Sequence, residues 1–186
     1  PQDRFVIRDI SAVQTLGGGV ILDTLPTKHK RYAAPVIQDL TLLREGSGEE
    51  ILRQHVFRSG AGGVLFGDLL NRVSIPRKEI QRLLKKMMDQ GEILVVDPER
   101  MKVIDVRPYH RLKEKILAQL KEFHHKFPMK SGLPKEEMRT KLPTEMDIKL
   151  FQPLLNELIQ TKKVVMEKDK LRLASHQIAS IDEKGL

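Results

Sequence analysis

The chain has 186 residues, of which 40% are apolar, so it can form one ordinary domain or two small ones with compact cores. It contains no Cys, which excludes disulfides, thiol chemistry and Cys-based zinc sites and favours a reducing, cytoplasmic environment. Its formal net charge of +8 favours a polyanionic partner, and nucleic acid is the leading candidate.

The positive charge is concentrated in the second half of the chain. Residues 34–107 carry 12 basic and 11 acidic side chains, whereas residues 108–186 carry 16 and 11. No apolar run approaches the roughly 20 residues of a membrane-spanning helix, and the first residues lack the pattern of a signal peptide. We therefore expect neither a membrane span nor export.

The first predicted element is a β-hairpin. Residues 4–9 alternate polar and apolar side chains, and residues 15–22 form a second apolar segment after a short polar break. Gly17, Gly18 and Gly19 predict a bulged strand and not a P-loop, because neither a Gly-Lys-Ser/Thr ending nor a helix follows them. Two strands are marginal alone in water, so we expect this hairpin to be the end of a domain whose remainder is missing.

A first helical module follows the hairpin. Apolar residues at helical spacing predict helices over residues 36–43 and 51–56, which a Gly-Ser-Gly sequence divides. A short helix around residues 65–70 comes next, and a longer amphipathic helix over residues 80–88 ends at Gly91. Two short apolar segments joined by a polar turn then predict a hairpin, which completes the element order of a winged helix.

The same order occurs a second time. Residues 112–123 predict a first helix, residues 134–142 a short second helix, and residues 147–161 a third. Apolar segments at residues 164–166 and 171–173 predict a second wing. The chain is therefore expected to contain two repeated modules, each with three helices and a two-stranded wing.

A shift of 71 positions aligns the two modules in sequence. It places Leu84 on Leu155 and Ile93 on Val164. Pro153 is an irregularity, since inside a helix it deletes one backbone hydrogen bond and usually kinks the chain. We expect the third helix of the second module to bend there or to begin later.

No motif with catalytic or cofactor-binding spacing is found. The sequence Gly-Ala-Gly-Gly at residues 60–63 follows a helix and not a strand, so it predicts an inter-helix turn and not a dinucleotide site. The histidines, including His124 and His125, have neither zincin spacing nor a Cys partner. We expect this chain to have no catalytic site, no cofactor and no metal.

Three groups of basic side chains are candidates for nucleic-acid contact. They lie in the loop before the first module, on the exposed face of its third helix, and on the second wing. An exposed helix face is commonly charged, so ordinary solvation is the alternative for the helix group. The candidates are Lys28, Lys30, Arg31, Arg77, Lys78, Arg82, Lys85, Lys86, Lys162, Lys163, Lys168, Lys170 and Arg172.

The third helix of the second module carries far less positive charge than that of the first. Its polar residues are predicted to be Gln152, Asn156, Glu157 and Gln160, with Lys149 as the single positive charge. Such a surface is poorly suited to a DNA major groove, so reading of a DNA operator is disfavoured.

The order hairpin, winged helix, winged helix resembles the C-terminal half of the bacterial selenocysteine-specific elongation factors, the SelB family. The most specific part is Arg-Phe-Val-Ile-Arg-Asp at residues 4–9 with Thr-Leu-Gly-Gly-Gly-Val at residues 15–20. These segments look like the closing strands of the third, β-barrel domain of the EF-Tu-like GTPases. The resemblance implies a mainly α fold with small β wings, in which tandem winged-helix domains of the helix-turn-helix type follow a hairpin remnant of a β-barrel.

The resemblance also implies a domain organisation. The last segment contains Ser180 and Glu183 at the spacing of a capping box, which normally opens a helix. The expected domains are residues 1–25 as the end of a truncated β-barrel, 26–34 as a linker, 35–107 and 108–176 as winged helices, and 177–186 as the start of a truncated further module.

For function, the resemblance implies a parent that carries selenocysteyl-tRNA to the ribosome at recoded UGA codons, guided by an mRNA hairpin and using GTP and Mg²⁺. This chain is expected to lack both the nucleotide site and the module that binds the mRNA hairpin. It would act as a monomeric spacer with non-specific contacts to RNA. A DNA-binding transcriptional regulator and a protein-interaction adaptor are the alternatives, and the barrel-like hairpin argues against both.

Overall fold

The computed structural model describes residues 1–11, 14–26 and 28–176. The chain divides into two compact units, the first formed by Pro1–Ser59 with Val64–Val103 and the second by Gly60–Gly63 with Ile104–Leu186. The predicted capping box at Ser180 and the further module predicted over residues 177–186 lie outside the described residues. The predicted domain boundaries stay predictions.

The N-terminal hairpin consists of β1 (Arg4–Arg8) and β2 (Thr15–Val20), which pair antiparallel with a register shift between Ile7 and Arg8. The predicted bulged hairpin is therefore confirmed. Phe5 lies opposite Gly19, and a Cβ atom at Gly19 would come within 2.9 Å of the Phe5 ring. The glycines of β2 thus let the Phe5 side chain lie flat on the neighbouring strand. All five residues of β1 are exposed, Val6 to 63%, so both faces of this strand are open to solvent.

The first unit continues with helices and a small sheet. Its strands pair in the order β3-β5-β4, and Val64 of β3 lies opposite Val103 of β5. The predicted two-stranded wing therefore needs a correction, because β3 adds a third strand. The elements are α1 (Ala34–Glu45), α2 (Gly48–Arg58), β3 (Val64–Leu65), α3 (Phe66–Arg72), α4 (Arg77–Asp89), β4 (Ile93–Asp97) and β5 (Lys102–Asp105).

The sequence between α1 and α2 contains a capping box that sets the start of α2. The Ser47 backbone N–H donates to the Glu50 carboxylate at 2.8 Å, and the Glu50 N–H donates to Ser47 Oγ at 3.3 Å. The hydrogen bond from the Ser47 backbone holds the pKa of Glu50 below its ordinary value. Two of the unpaired donors at the helix start are satisfied in this way, which explains why a new helix begins here.

The core of the first unit is formed by α2, α3, α4 and the sheet, whereas α1 has no buried residue. The apolar stripe predicted on α4 is buried, and Ile80, for example, has no exposed surface. Burial of one such side chain stabilises a fold by roughly 1.5–3 kcal/mol. The buried cluster comprises Leu52, Val56, Val64, Phe66, Leu69, Val73, Ile80, Leu83, Leu84, Met87, Ile93 and Val103.

The segment after the hairpin is tied to α3 within the same unit. Thr24 Oγ donates to the Asn71 carbonyl at 3.0 Å, and the Arg72 guanidinium donates to the Leu25 carbonyl at 2.9 Å. Asp23 lies 3.8 Å from the same guanidinium. Arg72 therefore joins the segment between β2 and α1 to the helix-turn-helix part of the unit.

The second unit repeats this plan with three α-helices among its described residues, whereas the first has four, so the prediction of three helices in each module was wrong for the first. Its strands pair in the order β6-β8-β7, and Leu133 of β6 lies opposite Leu171 of β8, so this wing also has a third strand. The predicted fold class, mainly α with small β wings in tandem winged helices, is confirmed. The elements are α5 (Val106–Lys126), β6 (Leu133–Pro134), α6 (Lys135–Thr140), α7 (Phe151–Gln160), β7 (Val164–Glu167) and β8 (Lys170–Leu173).

Pro153 lies in the first turn of α7. A short 3-10 turn, Ile148–Leu150, precedes the helix, and the Asp147 carboxylate accepts a hydrogen bond from the Lys149 N–H at 2.8 Å. Backbone N–H groups in the first turn of a helix have no partner within that helix. Because Pro153 lies in this turn, its missing N–H removes no hydrogen bond from α7. The expectation that the helix begins later is confirmed.

A polar triad joins α5 to α7 inside the second unit. The Tyr109 hydroxyl donates to the Glu157 carboxylate at 2.9 Å, and Lys113 Nζ donates to its other oxygen at 2.6 Å. The hydrogen bond from Lys113 holds the pKa of Glu157 below its ordinary value, while burial raises the pKa of Tyr109. The Lys113 ammonium also lies 5.1 Å from the centre of the Tyr109 ring. Glu157 is therefore a structural residue of the interface between two helices.

We predict that Glu157→Gln destabilises the second unit by about 1 kcal/mol at neutral pH, since a charge-assisted hydrogen bond is removed from a partly exposed site. The folded pKa of Glu157 is depressed, so its contribution is present above the unfolded pKa and is lost as pH falls through the folded value. The difference in melting temperature between the two proteins should thus shrink below about pH 4.5.

Glu122→Gln is the matched control, because Glu122 forms an exposed pair with Lys126 four residues away on α5. It should leave the melting temperature unchanged at neutral pH. A Glu157→Gln protein whose melting temperature equals that of the original chain at pH 7 would contradict the assigned role.

Candidate nucleic-acid interface

The basic side chains predicted on the third helix of the first module lie on the exposed face of α4. Ile80, Leu83 and Met87 point into the core, so the residues between them are directed outward. All five candidates are exposed, and they are Arg77, Lys78, Arg82, Lys85 and Lys86.

Neighbouring carboxylates neutralise part of this α4 face. Arg82 pairs with Glu79 on the same helix at 2.5 Å, and Lys86 pairs with Glu49 of α2 at 2.9 Å. The hydrogen bond from Lys86 holds the pKa of Glu49 below its ordinary value, which is the behaviour of a paired carboxylate. A phosphate would therefore have to compete with these carboxylates.

The remaining α4 cations are held more loosely. The Arg77 guanidinium lies 5.3 Å from the centre of the Phe66 ring, in a cation-π arrangement. Within the described part of the chain, Lys78 and Lys85 have no ion pair. The α4 face therefore contributes two uncompensated lysines, fewer than its sequence suggests.

The loop candidates Lys28, Lys30 and Arg31 are exposed and lie outside regular secondary structure. They precede Tyr32, whose side chain is 90% exposed. The structure assigns them to the first unit, away from any regular element that would hold their side chains in fixed positions.

The wing of the second unit does not bring its five candidates into one patch. Lys162 and Lys163 lie before β7, where the Ala174 N–H donates to the Lys163 carbonyl at 3.0 Å. Lys168 and Lys170 lie at the opposite end of the hairpin, which we call the tip. With about 3.3 Å per strand residue, Lys163 and Lys168 are roughly 16 Å apart.

Arg172 is the most constrained of the five. It donates to the Glu167 carboxylate at 2.8 Å and to the His176 carbonyl at 3.2 Å. Its charge is consequently shared with a carboxylate on the paired strand, and it is less available to a phosphate than the four lysines.

A further lysine lies at the end of the second wing that carries Lys162 and Lys163, and it was not among the candidates predicted from the sequence. Lys121 of α5 lines a shallow groove of about 400 Å³ together with Lys162 and Lys163. The apolar residues of the groove include Leu117 and Leu173. The i,i+4 spacing of Leu117 and Lys121 places both on one side of α5 and was the available signal.

The tip of the wing rests on the loop before β6. Lys170 Nζ donates to Ser131 Oγ at 3.4 Å, and the Lys135 N–H donates to the Asp169 carbonyl at 2.8 Å. A Cβ atom at Gly132 would lie 2.7 Å from the Leu171 carbonyl oxygen, so this loop approaches β8 closely only because the residue is Gly. Lys168 itself is exposed.

The outer face of α7 is polar and largely uncharged. Gln152 donates to Asn156 at 2.8 Å and accepts from Lys135 Nζ at 2.7 Å. The placement of Glu157 on this face was wrong, because its carboxylate is turned toward Tyr109 and Lys113. The signal was present, since Glu157 lies beside the buried Leu154 and Leu158 on the helix.

Two histidines pack against each other in the second unit. The His124 and His176 rings stack with centres 3.7 Å apart, and the Leu173 N–H donates to His124 Nε2 at 3.3 Å. Burial lowers the pKa of His124, and the neighbouring His176 and Arg172 lower it further. In residues 1–11, 14–26 and 28–176, no group of three or more His, Asp or Glu side chains is arranged to hold a metal ion.

No helix in the described ranges combines the length and the apolar character that a membrane crossing requires.

Residues 117–173 match the family model described as elongation factor SelB, winged helix. This range contains the C-terminal part of α5, all of α6 and α7, and the second wing. The chain is also 27% identical over 185 residues to the selenocysteine-specific elongation factor of Desulfomicrobium baculatum. That alignment covers 99% of this chain and 29% of the relative, so the chain spans less than a third of the relative's length. The chain is therefore similar to selenocysteine-specific elongation factors over part of their length, and its second unit is similar to a winged-helix region of that family.

Proposed function

We propose that this chain is a winged-helix spacer of a selenocysteine-specific elongation factor, and that its second unit makes weak, sequence-independent contacts with RNA phosphates. The parent would deliver selenocysteyl-tRNA to the ribosome at recoded UGA codons in the cytoplasm, guided by an mRNA hairpin. GTP and Mg²⁺ would bind the parent outside this chain. The name of the Desulfomicrobium baculatum relative supports this assignment.

The observation that carries the RNA proposal is the difference in charge compensation between the two units. On α4, Arg82 and Lys86 are each paired with a carboxylate. Within the described residues, Lys162, Lys163 and Lys168 of the second wing have no ion pair. An uncompensated lysine releases counterions from nucleic acid without first breaking a salt bridge, so the wing is the better phosphate-binding surface.

The polar groups near the wing favour backbone contact over base reading. Lysine is a point charge with no fixed fork of donors, which suits phosphates better than base edges. The side-chain amides of Gln152 and Asn156 on α7 are occupied with each other and with Lys135. They are consequently not free to form the bidentate amide contacts that read adenine.

In a titration of the full chain against structured RNA, we predict that changing Lys162, Lys163, Lys168 and Lys170 to Ala weakens binding. The slope of log affinity against log salt concentration should fall by up to about one unit for each phosphate that the variant no longer binds. The reason is that each removed lysine no longer releases a condensed counterion. Fluorescence anisotropy at a series of salt concentrations measures both quantities.

The charge-matched control changes Lys78, Arg82, Lys85 and Lys86 of α4 to Ala, which removes the same number of positive charges from the first unit. Its effect on the salt slope should be smaller. Equal effects would show that net charge alone governs binding, and an unchanged slope in the wing variant would leave the chain a plain spacer. Tight selectivity for one DNA sequence would instead favour a transcriptional regulator.

We also predict that the chain on its own neither binds nor hydrolyses GTP. A P-loop needs a Gly-Lys-Ser/Thr ending at the start of a helix, whereas the glycines of residues 17–19 lie inside β2. Isothermal titration calorimetry with GTP and Mg²⁺ should give no binding heat. Stoichiometric binding would contradict the proposal that the nucleotide site lies elsewhere in the parent.

A further inference from the structure

Lys162 follows α7 in a left-handed backbone conformation, with φ of +54°. The Lys162 N–H donates to the Ile159 carbonyl at 2.9 Å, and the Lys163 N–H donates to the Leu158 carbonyl at 3.0 Å. This pair of hydrogen bonds is a Schellman motif, in which the left-handed residue is usually Gly. A Lys at this position is strained, because its Cβ atom crowds the backbone.

The internal repeat shows what an unstrained version of this turn contains. The 71-residue shift places Lys162 on Gly91, which follows α4 with φ of +69°. Gly91 makes the same bonds, since its N–H donates to the Met88 carbonyl at 3.0 Å and the next N–H donates to the Met87 carbonyl at 2.9 Å. The two units thus share one turn, with Gly in the first and a charged side chain in the second.

Lys168 repeats this feature at the other end of the wing. It is the first residue of the two-residue loop that joins β7 to β8, and its φ is +56°. Two-residue hairpin loops require a left-handed first residue, and Gly or Asn normally supplies it. Both ends of the second wing therefore carry a lysine where glycine would relieve strain.

The surroundings of Lys162 are cationic, whereas those of Lys168 carry both signs of charge. Lys162 shares its groove with Lys121 and Lys163. Lys168 lies beside Lys170, and the nearby Glu167 carboxylate is paired with Arg172. Asp169, the second residue of the loop, is the acidic neighbour of Lys168 in sequence. Strained residues persist where the surrounding structure holds them in place, and they cluster at binding sites.

We propose that Lys162 and Lys168 are the two anchor residues of the wing, each of which holds one backbone phosphate of an RNA. This inference rests on the proposed function and identifies which of the candidate side chains bind. The two lysines are roughly 16–20 Å apart at about 3.3 Å per residue. On the scale of duplex DNA, in which each strand advances about 3.4 Å per nucleotide, the anchors hold phosphates several nucleotides apart.

The experiment compares three single variants at each anchor in the full chain. Lys162→Gly and Lys168→Gly remove the charge and relieve the strain, so the melting temperature should rise by about 2–4 °C, while RNA affinity falls about threefold or more. Lys162→Ala and Lys168→Ala should lower affinity equally without that rise, because the Cβ atom remains. Lys162→Arg and Lys168→Arg should retain affinity.

The control at the repeated position is Gly91→Ala, which introduces strain in the first unit. It should lower the melting temperature and leave RNA affinity unchanged. An RNA duplex and a polyuridine single strand serve as probes, and the decrease in salt slope per lysine removed should be about 0.9 for the duplex and about 0.7 for the single strand.

Two results would overturn the inference. One is a Lys162→Gly, Lys168→Gly double variant that binds both probes as tightly as the original chain. The other is a glycine variant with no gain in melting temperature, which would mean that the lysines carry no strain. If the fourfold wing variant still binds more weakly in the first case, RNA binding by the wing survives and only the choice of anchors fails.

Discussion

The rest of the structure depends on the burial of one apolar stripe on the third helix of each module. In α4 and α7 the stripe occupies one side of the helix, and residues such as Leu84 and Leu155 have almost no exposed surface. A two-stranded hairpin covers such a stripe incompletely, and the short strands β3 and β6 complete the sheet. Because the stripe fixes the rotation of each helix, it also decides which side chains are directed to solvent.

The two units use this arrangement differently. In the first, the outward face of α4 is basic, and Glu49 from α2 reaches Lys86 to offset part of the charge. In the second, the outward face of α7 carries amides, and the positive charge has moved to the two ends of the wing. A shared fold therefore supports different surfaces, since the buried positions set the fold while the exposed positions vary independently.

Much of the fold could be predicted from the sequence because its signals are local. The apolar spacing of α4, the glycines of β2 and the position of Pro153 each act through neighbouring residues. The strands β3 and β6 were missed, because two residues give no periodicity. The ion pair between Glu49 and Lys86 joins residues that are far apart in sequence, so no local sequence pattern predicts it. The separation of the wing lysines, in contrast, follows from the predicted strands at residues 164–166 and 171–173, because Lys163 precedes the first strand and Lys168 lies in the turn between them.

The hydrogen bond between Tyr109 and Glu157 has a spectroscopic consequence. The chain contains two tyrosines and no tryptophan, so its intrinsic fluorescence comes from one tyrosine in each unit. Tyr32 is 90% exposed, so its ring is surrounded by solvent whether or not its unit is folded. Tyr109, in contrast, is 7% exposed and donates a hydrogen bond to a carboxylate. A change in tyrosine emission during denaturation therefore reports on Tyr109. The second unit carries a built-in optical probe of its own folding, without any added label.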